Sequence, residues 1–218
     1  MNNILEFKNI GYKDSSKFLV KNFNLSVCAG ETVAAFTDSR DEYSIMLKLC
    51  AGLLVPNEGE IFFFGKNINI FSALEIRKLR SERMGFVFSK VALINNMCVA
   101  DNIALPLRYN TSRTEDEIKN TVRELLAEGG ISCYADKFPY ELPLGVQKIV
   151  STLRAVSASP AIVFYDEPMF GLDESSSKIF ADLVKRINSE KGVATVIFSC
   201  QSDRTWSFIG KKIYISRE

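Results

Sequence analysis

Apolar residues follow two rhythms along this chain. ILEFKNI (4–10) and FNLSV (23–27) have strand composition, and TVAAF (32–36) is a run of the kind that fills a buried strand. GEIFFFG (59–65), set off by the turn signal PNEG (56–59), and MGFVF (84–88) predict two more strands. IMLKLCAGLL (45–54) and ALEIRKLRSER (73–83) read as helices. From Ala100 to about Asp136 the apolar spacing is helical throughout, with caps and a charged face in TSRTEDEIKN (111–120). GVQKIVSTLRAVSA (145–158) predicts a helix, and AIVFYDEP (161–168) is an apolar strand running into two carboxylates. Helix ESSSKIFADLVKRINSE (174–190), strand VATVIFS (193–199) and strand KKIYIS (211–216) complete the pattern. Strands alternating with helices predict an α/β fold whose parallel sheet is covered on both faces, with a helical section inserted in the middle.

Composition narrows the function classes. The 218 residues are 47% hydrophobic and 24% charged, as in an ordinary globular domain. The 27 Lys+Arg nearly cancel the 26 Asp+Glu, giving +1, so bulk charge implies neither nucleic acid nor an anionic membrane as partner. No apolar run approaches the roughly 18–20 residues of a spanning helix, and MNNILEFKN lacks a signal-peptide core. Cysteines 28, 50, 98, 133 and 200 have no C-x-x-C spacing and read as reduced core cysteines of a cytosolic protein. Histidine is absent, which excludes a histidine base and most zinc chemistry.

Two stretches carry candidate chemistry. TDSRDEYS (37–44) lies between a buried strand and a helix, where a phosphate-holding loop is expected, yet it has no glycine, no lysine and three acids. Asp166 and Glu167 follow a buried strand and precede P-x-x-G-L-D (168–173). Ligands of such sheets collect at the carboxyl ends of the strands. There one acid can hold Mg²⁺ while the other polarises a water.

Over nearly its whole length the chain resembles the ATP-binding subunits of ABC transporters. GETVAAF with C-AGLL-P-EGEI (30–61) resembles that family's strand, Walker A helix and following turn. MGFVF (84–88) is similar to the segment before the Q-loop, and DNIALPLRY (101–109) to the start of the helical subdomain. YELPLGVQ (140–147) stands at the signature motif, FYDEP (164–168) at Walker B and Gly171, Leu172 and Asp173 at the D-loop. TVIFSCQSD (195–203) aligns with the strand leading to the switch histidine. The resemblance implies a P-loop NTPase-like ABC ATPase fold, mostly a parallel sheet core with an N-terminal antiparallel β portion and an inserted helical subdomain. It further implies one domain, 1–218, with 1–88 and 159–218 as the RecA-like core and 89–158 as the helical subdomain including the signature region. The wording L-P-L-R, Y-x-E-L and Y-D-E-P is most similar to the MCE-type lipid-transport branch.

The resemblance also marks departures. Where the family loop reads G-x-x-G-x-G-K-[ST]-[ST], this chain has Thr37, Asp38, Ser39, Arg40, Asp41, Glu42, Tyr43, Ser44 and Ile45. Each glycine lets backbone N–H groups face phosphate without a Cβ in the way; here Thr37, Arg40 and Glu42 replace them. Tyr43 stands for the phosphate-reaching lysine, and only Ser44 keeps the magnesium-ligating hydroxyl. Three acids and one arginine give residues 37–44 a formal −2, against about +1 for the family motif. Each misplaced unit charge about 5 Å from a phosphate costs at most roughly 3 kcal/mol at an effective dielectric near 20. Several such charges rival the whole of a micromolar affinity, about −8 kcal/mol. Ser89 replaces the Q-loop glutamine, and Gln201 stands at the switch-histidine position. The signature reads Leu142, Pro143, Leu144, Gly145, Val146, so its serine and first glycine are gone and proline removes a backbone donor.

Asp166 and Glu167 persist either as metal ligand and general base or for structure, and without an intact loop the structural role is favoured. Tyr12, near an adenine-stacking position, reads as packing, as do Phe36 and Phe62–Phe64. The expected function is a pseudo-ATPase subunit that binds no cofactor tightly. It docks on a transmembrane permease through the groove from Ser89 to Leu107, at the inner face of the cell membrane. A second ATP-binding-type subunit and an MCE-type lipid-binding protein are the further expected partners, and nucleic acid is not. The alternative is an active subunit using ATP and Mg²⁺ through Ser44, Asp166 and Glu167.

Overall fold

The computed structural model describes residues 3–14, 17–37, 39–200 and 209–215, with backbone only at Lys17, Arg40 and Asp41. The chain opens with a long hairpin of β1 (Asn3–Asp14) and β2 (Lys17–Cys28). Leu5, Phe7 and Ile10 of β1 meet Val27, Leu25 and Phe23 of β2 in the antiparallel register. β3 (Thr32–Phe36) is buried at every position, and α1 (Arg40–Cys50) follows it. β4 (Glu58–Phe63) and the two-residue β5 (Lys66–Asn67) complete an antiparallel sheet of order β2-β1-β4-β5. Gly59 sits at φ +83°, where a Cβ would lie 2.3 Å from the Lys8 carbonyl, so β1 and β4 approach this closely only over glycine.

α2 (Ala73–Arg83) starts at a capping box between Ser72 and Glu75 and leads into β6 (Met84–Val87). The helical middle is α3 (Val99–Asn110), α4 (Glu115–Glu128), capped by Thr114 and Glu117, and α5 (Leu144–Ser157). β7 (Ile162–Asp166), α6 (Glu174–Lys191), β8 (Ala194–Ser199) and β9 (Lys211–Tyr214) follow. The second sheet has order β6-β7-β8-β3-β9 and is parallel at every pairing.

Strand parity divides the interior in two. Ala34, Phe36, Val163, Tyr165 and Ile197 face an apolar cluster with α3, α4, α5 and α6. Val33, Ala35, Ile162, Phe164, Val196 and Phe198 face the opposite cluster, shared with α1 and the antiparallel sheet. The inserted helices therefore close one face of the parallel sheet, and both faces are dry, as continuous apolar strands require.

The expected elements are present with corrected bounds: β1 and β2 run beyond 4–10 and 23–27, the helical spacing expected to about Asp136 ends with α4 at Glu128, and both ends of α1 differ. The helix begins at Arg40, inside the expected loop, because the stretch has no glycine to hold it open and its acids favour a helix N-terminus. It ends at Cys50 rather than continuing to 54, because Gly52 takes a left-handed φ of +62°. Among the described residues, no helix is long and apolar enough to cross a membrane.

Candidate functional site at the carboxyl ends of the parallel strands

The carboxyl ends of β3, β6, β7 and β8 bring Thr37, Ser89, Asp166–Glu167 and Ser199–Cys200 together. The chain links them directly: Thr37 N–H donates to the Ser199 carbonyl at 3.2 Å, and Glu167 N–H to the Phe198 carbonyl at 2.9 Å.

On the β3 side the connection to α1 is only residues 37–39, so the second and third glycine positions of the family motif, Arg40 and Glu42, lie in the first helical turn. Glu42 is 1% exposed, and its carboxylate accepts a hydrogen bond from the Thr37 hydroxyl. The Thr37 oxygen in turn accepts from Ser39 N–H at 3.2 Å. An acid from the chain itself thus occupies the start of the helix, where the unpaired N–H groups and the dipole favour negative charge. Tyr43 is buried in the cluster behind α1 with Ile45, Met46 and Leu47. Ser44 is half-buried and shares with Ser89 and Asp166 a cavity of about 760 Å³ walled by Leu47, Phe86 and Phe88.

On the β7 side the chain holds all but one of the four carboxylate oxygens. Asp166 Oδ2 accepts from Ser89 N–H at 3.2 Å and from the Ser89 hydroxyl at 3.0 Å. Asp166 Oδ1 is buried and has no partner among the described residues. Glu167 has a φ of +41°. Its carboxylate accepts from the Ser199 hydroxyl at 2.9 Å and from Cys200 N–H, tying the ends of β7 and β8 together. Behind them lies Lys148 of α5, 1% exposed, whose ammonium donates to the Pro168 carbonyl at 2.6 Å and the Glu167 carbonyl at 3.3 Å. Burial pulls the Lys148 pKa down to about 8, while the negative charges of Asp166 and Glu167 act to raise it.

The signature and D-loop positions form one packed corner. Leu142 is buried, Pro143 precedes the first turn of α5, and Leu144 is exposed. Gln147 donates to the Leu142 carbonyl at 2.9 Å. A Cβ on Gly145 would lie 3.3 Å from Ser176, so this glycine serves the approach of α5 to α6. Val146 is half-buried and packs against the helical cluster, as does Leu172. Gly171 has φ +79° beside the Leu144 side chain. Asp173 caps α6, accepting from Ser176 N–H at 2.8 Å and the Ser175 hydroxyl at 2.6 Å. These hydrogen bonds hold its carboxyl well below the usual range. Tyr12 is half-buried against the antiparallel sheet's cluster, in line with packing. Asp38 and Gln201 lie outside the described residues.

Two residues with clear structural roles carried no motif. Asn102, fully buried, accepts from Ile94 N–H at 2.8 Å and donates to the carbonyls of Ile94, Met97 and Cys98, fixing the chain that follows Ser89. Lys148 falls four residues before Thr152 on a helix face that otherwise reads as buried. A lysine on such a stripe is the signal that could have found it.

Comparison with known proteins agrees with this geometry. The family described as ABC transporter matches residues 20–170. The chain is 32% identical over 197 residues to the intermembrane phospholipid transport system ATP-binding protein MlaF of Haemophilus influenzae, covering 90% of this chain and 74% of that one. It is 34% identical over 203 residues to the lipoprotein-releasing system ATP-binding protein LolD of Wigglesworthia glossinidia brevipalpis, covering 90% and 88%. Among solved structures it superposes with a TM-score of 0.84 on the dimeric ATP-binding cassette MJ0796 in a post-hydrolysis state bound to ADP and Pi. That match has 28% identity and covers 98% of this chain and 94% of that one. With the fold, the order of its motifs and these relatives in agreement, the chain belongs to the ABC transporter family of ATP-binding subunits.

Proposed function

We propose that this chain is a non-hydrolysing member of its family, a subunit that supports a transport complex without binding nucleotide tightly. The observation that carries this reading is the Glu42 carboxylate, buried against Thr37 within the first turn of α1. A triphosphate placed there would displace that contact and face the acid at close range, and at the position of the motif's lysine the cavity is lined by the uncharged ring of Tyr43. The residues present do not fit Mg²⁺–ATP. The Glu167 carboxylate, which would polarise the attacking water, is engaged by Ser199 and Cys200. The broken signature has lost, at Pro143, both the serine hydroxyl and a backbone donor that would face a phosphate held by a partner cassette.

The complex is a lipid transporter in this proposal. Its support is the likeness to MlaF and LolD, named for phospholipid transport and lipoprotein release, with the L-P-L-R and Y-D-E-P wording. The chain sits at the inner face of the membrane by docking on a permease through the groove from Ser89 to Leu107. A second ATP-binding subunit and an MCE-type lipid-binding protein complete the assembly. The rival reading, an active subunit, draws on one feature: Ser44 and Asp166 line one cavity, and Asp166 Oδ1 has no described partner. Purification of the tagged chain from detergent-solubilised membranes separates the two. A permease should co-purify in nucleotide-free buffer, and a Glu167→Gln substitution should leave the complex's ATP turnover unchanged. Turnover abolished by Glu167→Gln would reverse the proposal.

A further inference from the structure

We propose that Lys148 is a built-in cation that holds the Asp166–Glu167 turn in place of a divalent metal. It is thereby a positioning residue that fastens the signature helix α5 to the end of β7. The family implies a metal beside these carboxylates, and this chain supplies a positive charge from the opposite side. Lys148 is 1% exposed and reaches the turn from within the protein, with its ammonium on the carbonyls of Glu167 and Pro168. A buried lysine is sustained only by neighbouring negative charge or carbonyl dipoles, and both carboxylates act on it electrostatically.

The remaining pieces agree. Asp166 is held at Oδ2 by Ser89, and Glu167 by Ser199 and Cys200, so protein donors orient both side chains and, among the described residues, leave only Asp166 Oδ1 unbonded. Lys148 bonds the turn's carbonyls, and from there its charge acts on both carboxylates while the hydrogen bonds orient them. Carboxylates that have lost a nucleotide role are then retained because removing them would strand a buried ammonium. This explains why Y-D-E-P survives in a chain whose phosphate loop has diverged.

The test is a double-mutant cycle on the purified full chain, read by thermal melting without nucleotide, so its outcome is separate from that of the hydrolysis experiment. Lys148→Met keeps the aliphatic stem and removes the charge; it should lower the melting temperature by about 8 °C. In an Asp166→Asn/Glu167→Gln background the same change should raise it by about 3 °C, because the ammonium there has lost its anions. Equal effects in the two backgrounds would mean packing alone and would overturn the proposal. If Lys148→Met does not fold, the triple variant should; failure of the triple variant while Asp166→Asn/Glu167→Gln folds is also contradictory. Magnesium chloride, compared at matched ionic strength, should stabilise Lys148→Met and leave the natural chain unchanged. Stabilisation of the natural chain would count against an internal replacement for the metal.

Discussion

The two sides of the cleft have had opposite fates. At the end of β3, every glycine and the lysine of the phosphate loop are replaced, and the segment has become a helix start around Glu42. At the end of β7, Asp166, Glu167, Gly171, Leu172 and Asp173 all persist; Ser89 holds Asp166, Ser199 and Lys148 hold Glu167, and Asp173 caps α6. The difference lies in what each side does for the rest of the molecule. Loop glycines contribute little to a fold once phosphate is absent, and substituting them lowers the entropy of the unfolded chain. The β7 carboxylates join three strand ends, and the backbone carbonyls beside them hold α5 through Lys148, so loss of this turn would be felt whether or not nucleotide binds.

Substitutions on the two sides can break this contrast. The largest effect is expected at Glu167. Glu167→Ala removes the acceptor for Ser199 and Cys200 and leaves Lys148 less compensated, lowering the unfolding free energy by about 4 kcal/mol in urea titrations. A value near zero would mean that the turn is retained for another reason. Tyr43→Lys restores the motif's lysine in name, but exchanges a core ring for a buried amine at a cost of about 3 kcal/mol. Calorimetry on that variant should show no gain in nucleotide affinity. Ser89→Ala deletes one of two bonds to Asp166 and keeps the backbone one, so about 1 kcal/mol is expected from the same titrations.

The smallest effect is a matter of pH. Hydrogen bonds from Ser175 and Ser176 depress the Asp173 pKa in the fold. Its stabilisation is therefore complete above the unfolded aspartate pKa of about 4 and is lost as pH falls through the lower folded value. Melting curves of the natural chain and Asp173→Asn should converge as the solution is acidified below that range. A gap that stays constant would show that the carboxylate charge contributes nothing at the α6 cap.

Much of the scaffold was legible because strands such as TVAAF and IVFYD are apolar but for Thr32 at the start of one and Asp166 at the end of the other, a run that only a sheet covered on both faces accommodates. The Ser72 and Thr114 capping boxes likewise mark α2 and α4 at the sequence level. The start of α1 was misplaced because alignment to a glycine loop overrode local propensity; residues 40–44 taken alone are ordinary helix formers with acids near the N-terminus. Asp166 and Glu167 were identifiable from the strand they end. Their partners were not, since Ser89 lies 77 residues from Asp166 and Ser199 lies 32 from Glu167. Contacts across a sheet leave no periodic trace. The hairpin β1–β2 was read as two short strands because the register shifts between Phe7 and Tyr12 interrupt the alternation that a regular strand would show.

The central claim is that the loop following β3 has exchanged phosphate for its own glutamate. Isothermal titration of Mg²⁺–ATP into the purified chain addresses it most directly. The account predicts no saturable heat up to about 1 mM nucleotide, a free energy of binding weaker than about −4 kcal/mol. A saturable isotherm in the micromolar range, weakened by Ser44→Ala or Asp166→Asn, would contradict it.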